Sequence, residues 1–345
     1  MLNRVFGGEM KKSFSVCFVV LFLFAGKICG QESAPLKLVQ TFKLPADVKG
    51  NFDHLAIDLS GHRLFTTPEE YKAVLVLDPN SGKLIHKITG IEKPHAILYR
   101  PDLKRLYITD GESGDLKIVD SDSYAILSSV KLLEDADSIG YDPKTKFLYI
   151  VNGGGDVHQT YSMLSVVDTT AGKKLTDIKI DGETLEAMVL DNASPRIFLN
   201  NKAKNQVDVI DRDKRTLLTS WPITKSKTNV AMAYDPANHR LFVGCRGGGV
   251  VVLDTDSGKE IAVLEITKGV DDMVFDPGSK RLYASCDGDA DVYQQTDANT
   301  YKLLGKVPTG ALARTALLVP KLNRYFVAVP QKGSNSAEIK VYEVQ

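Results

Sequence analysis

The 345-residue sequence is poor in cysteine, with four, and carries one tryptophan. So few cysteines exclude a disulfide framework as the source of stability. Net charge is missing as well, because 43 Lys and Arg balance 43 Asp and Glu. A neutral chain lacks the broad basic field that draws in nucleic acid or an anionic membrane. The C-x-x-C-H of haem attachment, the H-E-x-x-H of zinc peptidases and the G-x-S-x-G of a nucleophile elbow are all absent. Glycine runs at 153–155 and 247–249 open no helix, so they build no phosphate loop. What is present is 43% hydrophobic and 25% charged residues, the balance of a globular chain. A rule of roughly 150 residues per domain suggests two domains, but single all-β domains run longer. The 27 glycines and 14 prolines point to many turns.

The first thirty residues read as an address rather than as part of the fold. Met10-Lys11-Lys12 is basic, 14–25 is almost wholly apolar, and Ile28-Cys29-Gly30 follows. That is the order of a secretory signal peptide, with an apolar run too short for a confident membrane span. Cleavage is expected after Gly30, leaving 31–345 as a periplasmic or secreted chain with no transmembrane anchor. Lys27 and Ile28 before Cys29 do not fit a lipoprotein box. Losing Arg4, Lys11, Lys12, Lys27 and Glu9 leaves 39 basic and 42 acidic residues, a net charge of −3. Two cysteines remain, Cys245 and Cys286.

The rest of the chain repeats. Units begin near Asn51, Lys93, Ala136, Thr184, Lys227, Val270 and Leu312, at spacings of 42, 43, 48, 43, 43 and 42. Each holds four short strands, in the first unit at 55–58, 63–67, 73–77 and 84–88. Asp-Pro pairs at 142–143, 235–236 and 276–277 and Ser-Gly-Lys at 81–83 and 257–259 supply turns. Four strands per 40–45 residues is the period of a propeller blade. The last unit is one strand short, and 36–44 has the character of an outermost strand. The expectation is an all-β, seven-bladed propeller closed by that N-terminal strand on the last blade, which removes exposed sheet edges. It is expected to be a monomer.

The second and third strands stand as Arg105-Leu-Tyr-Ile-Thr-Asp with Gly114-Asp-Leu-Lys-Ile-Val-Asp120. They recur as Phe147-Leu-Tyr-Ile-Val-Asn with Leu164-Ser-Val-Val-Asp168. This repeat resembles the YVTN-type β-propeller family, which includes YncE-like periplasmic proteins, across 35–345. Gln294-Gln295-Thr296 and Val329 depart from the pattern. The resemblance implies a fold used for binding modules, scaffolds and surface proteins, with lactonases among related seven-bladed folds. It does not imply one function.

Asp78, Asp120, Asp168, Asp211 and Asp254 recur after the third strand, where a carboxylate caps the next turn. Cys245 and Cys286 hold one equivalent position in adjacent blades, too far apart to bridge, and read as buried thiols. Functional residues should appear where the repeat breaks its own pattern. Five residues before the Asp that follows the first strand, whose place Arg100 and Val319 take in units two and seven, stand Asp53, His95, Asp137, Glu186, Val230, Asp271 and Arg314. Seven equivalent positions ring one mouth of the channel. Four carboxylates, a His and an Arg are not explained by turn capping, and clustered carboxylates raise each other's pKa or attract a cation. His54 and Asp272 lie one residue further in. The loops holding His158 (152–161) and Arg246 (246–249) connect second to third strands on the same face.

Three functions fit these residues. The first is a binding or scaffold module that takes an unknown protein partner or small ligand at the acidic mouth. The second is a lactonase-like hydrolase, in which a divalent metal on Asp53, His95 and Asp137, or His95 itself, activates water and Arg314 polarises a carbonyl. The third, DNA binding, is disfavoured by the net charge of −3.

Overall fold

The computed structural model describes residues 7–9 and 34–345. The expected export signal therefore lies, but for 7–9, outside the described residues. Residues 34–345 form one compact unit. Within it stand seven four-stranded antiparallel sheets, the expected propeller. Blades one to six occupy 52–88, 94–131, 139–181, 185–222, 229–265 and 272–308. Blade seven combines 315–344 with the N-terminal strand Leu36–Lys43. Among the described residues no helix is long and apolar enough to cross a membrane.

Each strand's composition follows its place in the blade. In blade one the third strand, Val74–Leu77, is buried at every residue because a neighbouring blade covers each face. The outermost strand, Leu84–Ile88, is mostly exposed. The cores lie between blades. Phe65, Val74 and Val76 of blade one pack with Ile97, Leu106 and Ile108 of blade two. Late in each first strand a large residue crosses that interface: Tyr99 lies 6.0 Å from the Phe65 ring and Phe275 5.3 Å from Phe242. Gly140 sits on the opposite face, where a Cβ would stand 2.5 Å from Leu190 Cδ1 of blade four. The recurring arginine at the start of the second strand ties blades together. Arg63 bonds Asp58 Oδ2 at 2.6 Å and also reaches the Ser121 carbonyl of blade two. Arg196 repeats this with Asp191 and the Thr255 carbonyl.

The turn carboxylates behave as caps. Asp78 Oδ1 accepts from the Asn80 and Ser81 amides at 3.0 and 2.7 Å, and Asp254 Oδ1 from those of Asp256 and Ser257 at 3.2 and 2.9 Å. Blade six, where Gln294-Gln295-Thr296 breaks the repeat, moves its cap to Asp297, which accepts from the Asn299 amide at 2.8 Å. Gln295 instead reaches across to Asp235 Oδ2 at 2.8 Å. Cys245 and Cys286 are free and buried.

Closure is as the sequence suggests. Leu36–Lys43 pairs antiparallel with Glu338–Val344, from Leu36 opposite Val344 to Lys43 opposite Glu338. Phe42, 3% exposed, enters a core that joins blade seven to Phe52, Leu55 and Leu64 of blade one. Phe42→Ala is expected to cost about 3 kcal/mol, read as a lower urea midpoint. Val39→Ala, on an exposed side chain of the same strand, should move it by less than about 0.5 kcal/mol. Equal midpoints for the two variants would mean that the strand does not hold the ring shut.

Candidate functional site

The channel mouth is built by the entry of each first strand. In blades one, two, four and five that strand carries a bulge at the ring position. Phe52 pairs with Pro68 and Leu55 with Thr66, so Asp53 and His54 together oppose Thr67 alone. His95 and Ala96 likewise oppose Thr109, and Glu186 and Ala187 oppose Asn200. A bulge re-aims side chains that a regular strand would send to opposite faces. Thr67 Oγ1 donates to the His54 carbonyl at 2.8 Å and Thr109 Oγ1 accepts from the Ala96 amide at 2.8 Å, which satisfies backbone groups at both bulges.

The ring residues converge on a cavity of roughly 170 Å³ lined by Asp53, His54, Glu69, His95, Asp137, Glu186, Arg246 and Asp271 among others. His54 also borders the channel below, so it partitions mouth from channel. Asp272 lies behind His54, with Oδ1 3.2 Å from Nδ1. Val230 is the apolar member of the ring. Two expected residues are elsewhere. Arg314 does not line the cavity, because Asp287 of blade six captures its guanidinium at 3.1 Å. His158 is exposed at the left-handed end of a short 3-10 turn, Gly154–Val157, and also stays off the cavity wall.

A second ring escaped the sequence reading. Six residues after the residue that opens each second strand stand Glu69, Gly111, Gly153, Lys202, Arg246, Asp287 and Pro330. Only Arg246 was singled out, although the same count from Arg63 and Arg196 reaches Glu69 and Lys202. This ring neutralises half of the mouth. Lys202 Nζ bonds Glu186 Oε1 at 2.6 Å, Arg246 pairs with Asp271, and Asp287 with Arg314. In blades one to three the second ring supplies Glu69 and two glycines, and among the described residues no lysine or arginine forms an ion pair with Asp53, Glu69 or Asp137. Gly111 makes room for His95, whose Nε2 would lie 2.7 Å from a Cβ at that position.

Two imidazoles serve that acidic half. His95 Nδ1 is 2.6 Å from Asp53 Oδ2 and 3.8 Å from Asp137 Oδ1. His54 Nε2 is 3.3 Å from Asp53 Oδ1. Burial works against charge on His95, but the Asp53 hydrogen bond and the Asp137 charge prevail and raise it to about 9. His54 likewise titrates well above its ordinary value, since Asp272 and Asp53 outweigh its burial. Asp53 is held low: burial opposes ionisation, but His54 and His95 overcome it. Asp137 is driven the other way, first by burial and then by the Asp53 charge. Its carboxylate accepts no hydrogen bond among the described residues.

No protein-family model and no curated protein matches the chain. Solved structures do. A chain of Kuenenia stuttgartiensis hydrazine synthase superposes with TM-score 0.73 at 18% identity, over 88% of this chain and 98% of that one. A chain of the mitotic checkpoint complex superposes with TM-score 0.72 at 12% identity, over 99% of each. At such identities the likeness shows the propeller fold alone.

Glu69 gives the mouth a measurable pH signature. Burial, then the Asp53 charge, pushes its carboxyl up from 4.5 to about 7. Between those values the folded chain holds a proton that the unfolded chain releases, so ionising Glu69 weakens the fold as pH rises. In chelator-containing buffer the wild type should lose stability relative to Glu69→Gln between about pH 5 and pH 8. Parallel urea midpoints across that range would show Glu69 ionising as an ordinary surface carboxylate.

Proposed function

We propose that this chain is an exported YncE-like binding module that takes a positively charged group of a ligand or partner at the channel mouth. The observation that carries the reading is the uneven neutralisation of the ring. Asp53, Glu69 and Asp137 face one small cavity and form no ion pair with a lysine or arginine among the described residues, Lys93 acting on Asp53 and Glu69 only through its charge, while Glu186 and Asp271 have full cationic partners. Carboxylates crowded out of water favour any cation that reaches them. The cavity, roughly 170 Å³, is below the 300–1,000 Å³ of pockets for drug-sized ligands, so it suits one inserted group or ion.

The hydrolytic alternative is less well supported. Its carbonyl polariser, Arg314, is held by Asp287 outside the cavity. Its base, His95, is 6% exposed, with Nδ1 on Asp53 and Nε2 packed against Gly111. A general base must reach the proton it abstracts within hydrogen-bond distance, and here Nδ1 is engaged by Asp53 while Nε2 is buried without a partner. An acidic mouth and a net charge of −3 also oppose a phosphate backbone.

Two measurements test this function. Immobilised wild type and a Glu69→Gln/Glu186→Gln double variant are exposed to an extract of the source cells in EDTA, and the retained molecules are identified by mass spectrometry. A cationic molecule or basic segment held by the wild type and lost by the variant supports the reading; identical retention places binding elsewhere. Export is tested by the intact mass of the protein recovered from its source. An N-terminus at Gln31 is expected, and a chain retaining residues 1–30 would overturn it.

A further inference from the structure

Asp53, His54 and Asp137 each offer one donor atom, and those three atoms lie within 4.8 Å of one another. Proximity of acids alone does not make a metal site. Here the surroundings of each donor argue for one, and they also change which histidine is involved.

His54 is oriented as a ligand. Its Nδ1 faces Asp272 Oδ1 at 3.2 Å and its Nε2 faces the Asp53 carboxylate at 3.3 Å. Asp272 is itself anchored, since its Oδ2 accepts from the Ala316 amide of blade seven at 3.2 Å. A carboxylate that accepts the Nδ1–H hydrogen bond fixes the ring's orientation, the support that metal-binding histidines regularly have, and an ion binding at Nε2 displaces the proton there. Asp53 is supported in the same way. Its Oδ2 accepts from His95 Nδ1 at 2.6 Å, which leaves Oδ1 on the His54 side. Asp137 lines the same cavity with no hydrogen-bond donor on its carboxylate among the described residues. Two donors thus have dedicated outer partners, and the third has none but the cavity.

We propose that the channel mouth holds a divalent transition-metal ion on Asp53, His54 and Asp137, with Asp272 and His95 as positioning residues. The inference rests on the mouth being the binding face, and it names the cation. His95, a ligand in the sequence-based expectation, moves to the outer shell, and His54 takes its place. One imidazole nitrogen with two carboxylates suits Zn²⁺ or Mn²⁺ better than Ca²⁺, which takes six to eight oxygens. Three protein ligands leave at least one coordination position open to the cavity, as in sites where the ion meets a further molecule. The ion would also supply the positive charge that the second ring withholds from this half of the mouth.

The test is calorimetric titration of ZnCl₂ into the EDTA-stripped, dialysed protein, repeated with MnCl₂. About one equivalent of Zn²⁺ should bind. His54→Ala and Asp137→Asn should each weaken it by more than about 100-fold, and His95→Gln by about 10-fold, the range seen for outer-shell losses. His158→Ala should bind as the wild type does. Circular dichroism checks each fold, and the isosteric Asp137→Asn keeps the test decisive if His54→Ala fails to fold. Absence of binding by either ion, or binding indifferent to both ligand variants, overturns the metal site. The capture experiment runs in EDTA and spares the proposed ligands, so it separates the two failures. Capture that still needs Glu69 and Glu186 keeps the mouth as a binding face without a metal, and loss of both results removes the mouth altogether.

Discussion

Seven repeats bring equivalent residues around one axis only when the ring is shut. The contact that shuts it is the strand Leu36–Lys43 lying on Glu338–Val344. Phe42 secures that contact from the side, in a core shared by blades seven and one. Blade one supplies Asp53, His54 and Glu69, and blade seven, through the Ala316 amide, holds Asp272 behind His54. The mouth therefore spans the seam that joins the two ends of the chain. A propeller left open at the seam would keep most of its inter-blade cores and still lose the relation between His54 and Asp272.

Once the ring is closed, the chemistry of the mouth follows from how its charges are matched. Removing a carboxylate from water costs several kcal/mol unless a partner and hydrogen bonds compensate. Glu186 and Asp271 are compensated by Lys202 and Arg246 in the second ring. Where that ring holds Gly111 and Gly153, no such side chain can reach inward, and Glu69 adds a further acid. The two histidines partly offset this, and the opposite displacements of Asp53 and Asp137 show what remains. One carboxylate takes the benefit of both imidazoles, and for the other, burial and the neighbouring Asp53 charge outweigh what His95 offers. The uncompensated charge lies on one side of the mouth, where a cation would relieve it.

The blade period, the closing strand and the ring position itself were legible in the sequence, because each depends on spacing that repeats seven times. The face on which the ring lies was legible too, since strands alternate direction. The bulges were not. Asp53 and His54 are consecutive, and a regular strand would send them to opposite faces; only the pairing of Phe52 with Pro68 and Leu55 with Thr66 reveals that both can serve one cavity. The outcome for Arg314 was hidden for a related reason. Its partner Asp287 belongs to the second ring of the previous blade, a contact between repeats that alignment within one repeat does not display. Glu69 and Lys202 were within reach of a count from the recurring arginine, which first appears as an alignment mark and proves to be a clamp between blades.

The two faces of the propeller use the same residue type in opposite ways. On the face that carries the turns after first and third strands, Asp58, Asp78, Asp120, Asp211 and Asp254 accept two backbone amides each. The Ser81 and Ser257 hydroxyls on Asp78 and Asp254, together with those amide bonds, favour the charged form, and all five carboxyls are lowered. In each of these carboxylates one oxygen is committed to shaping its turn. On the mouth face Asp137, Glu186 and Asp271 are pushed up by burial instead. Counting acids would rank the two faces alike. Counting the donors that each acid already satisfies separates them, and it leaves the blade-one-to-three side of the mouth as the place where a cation has most to contribute.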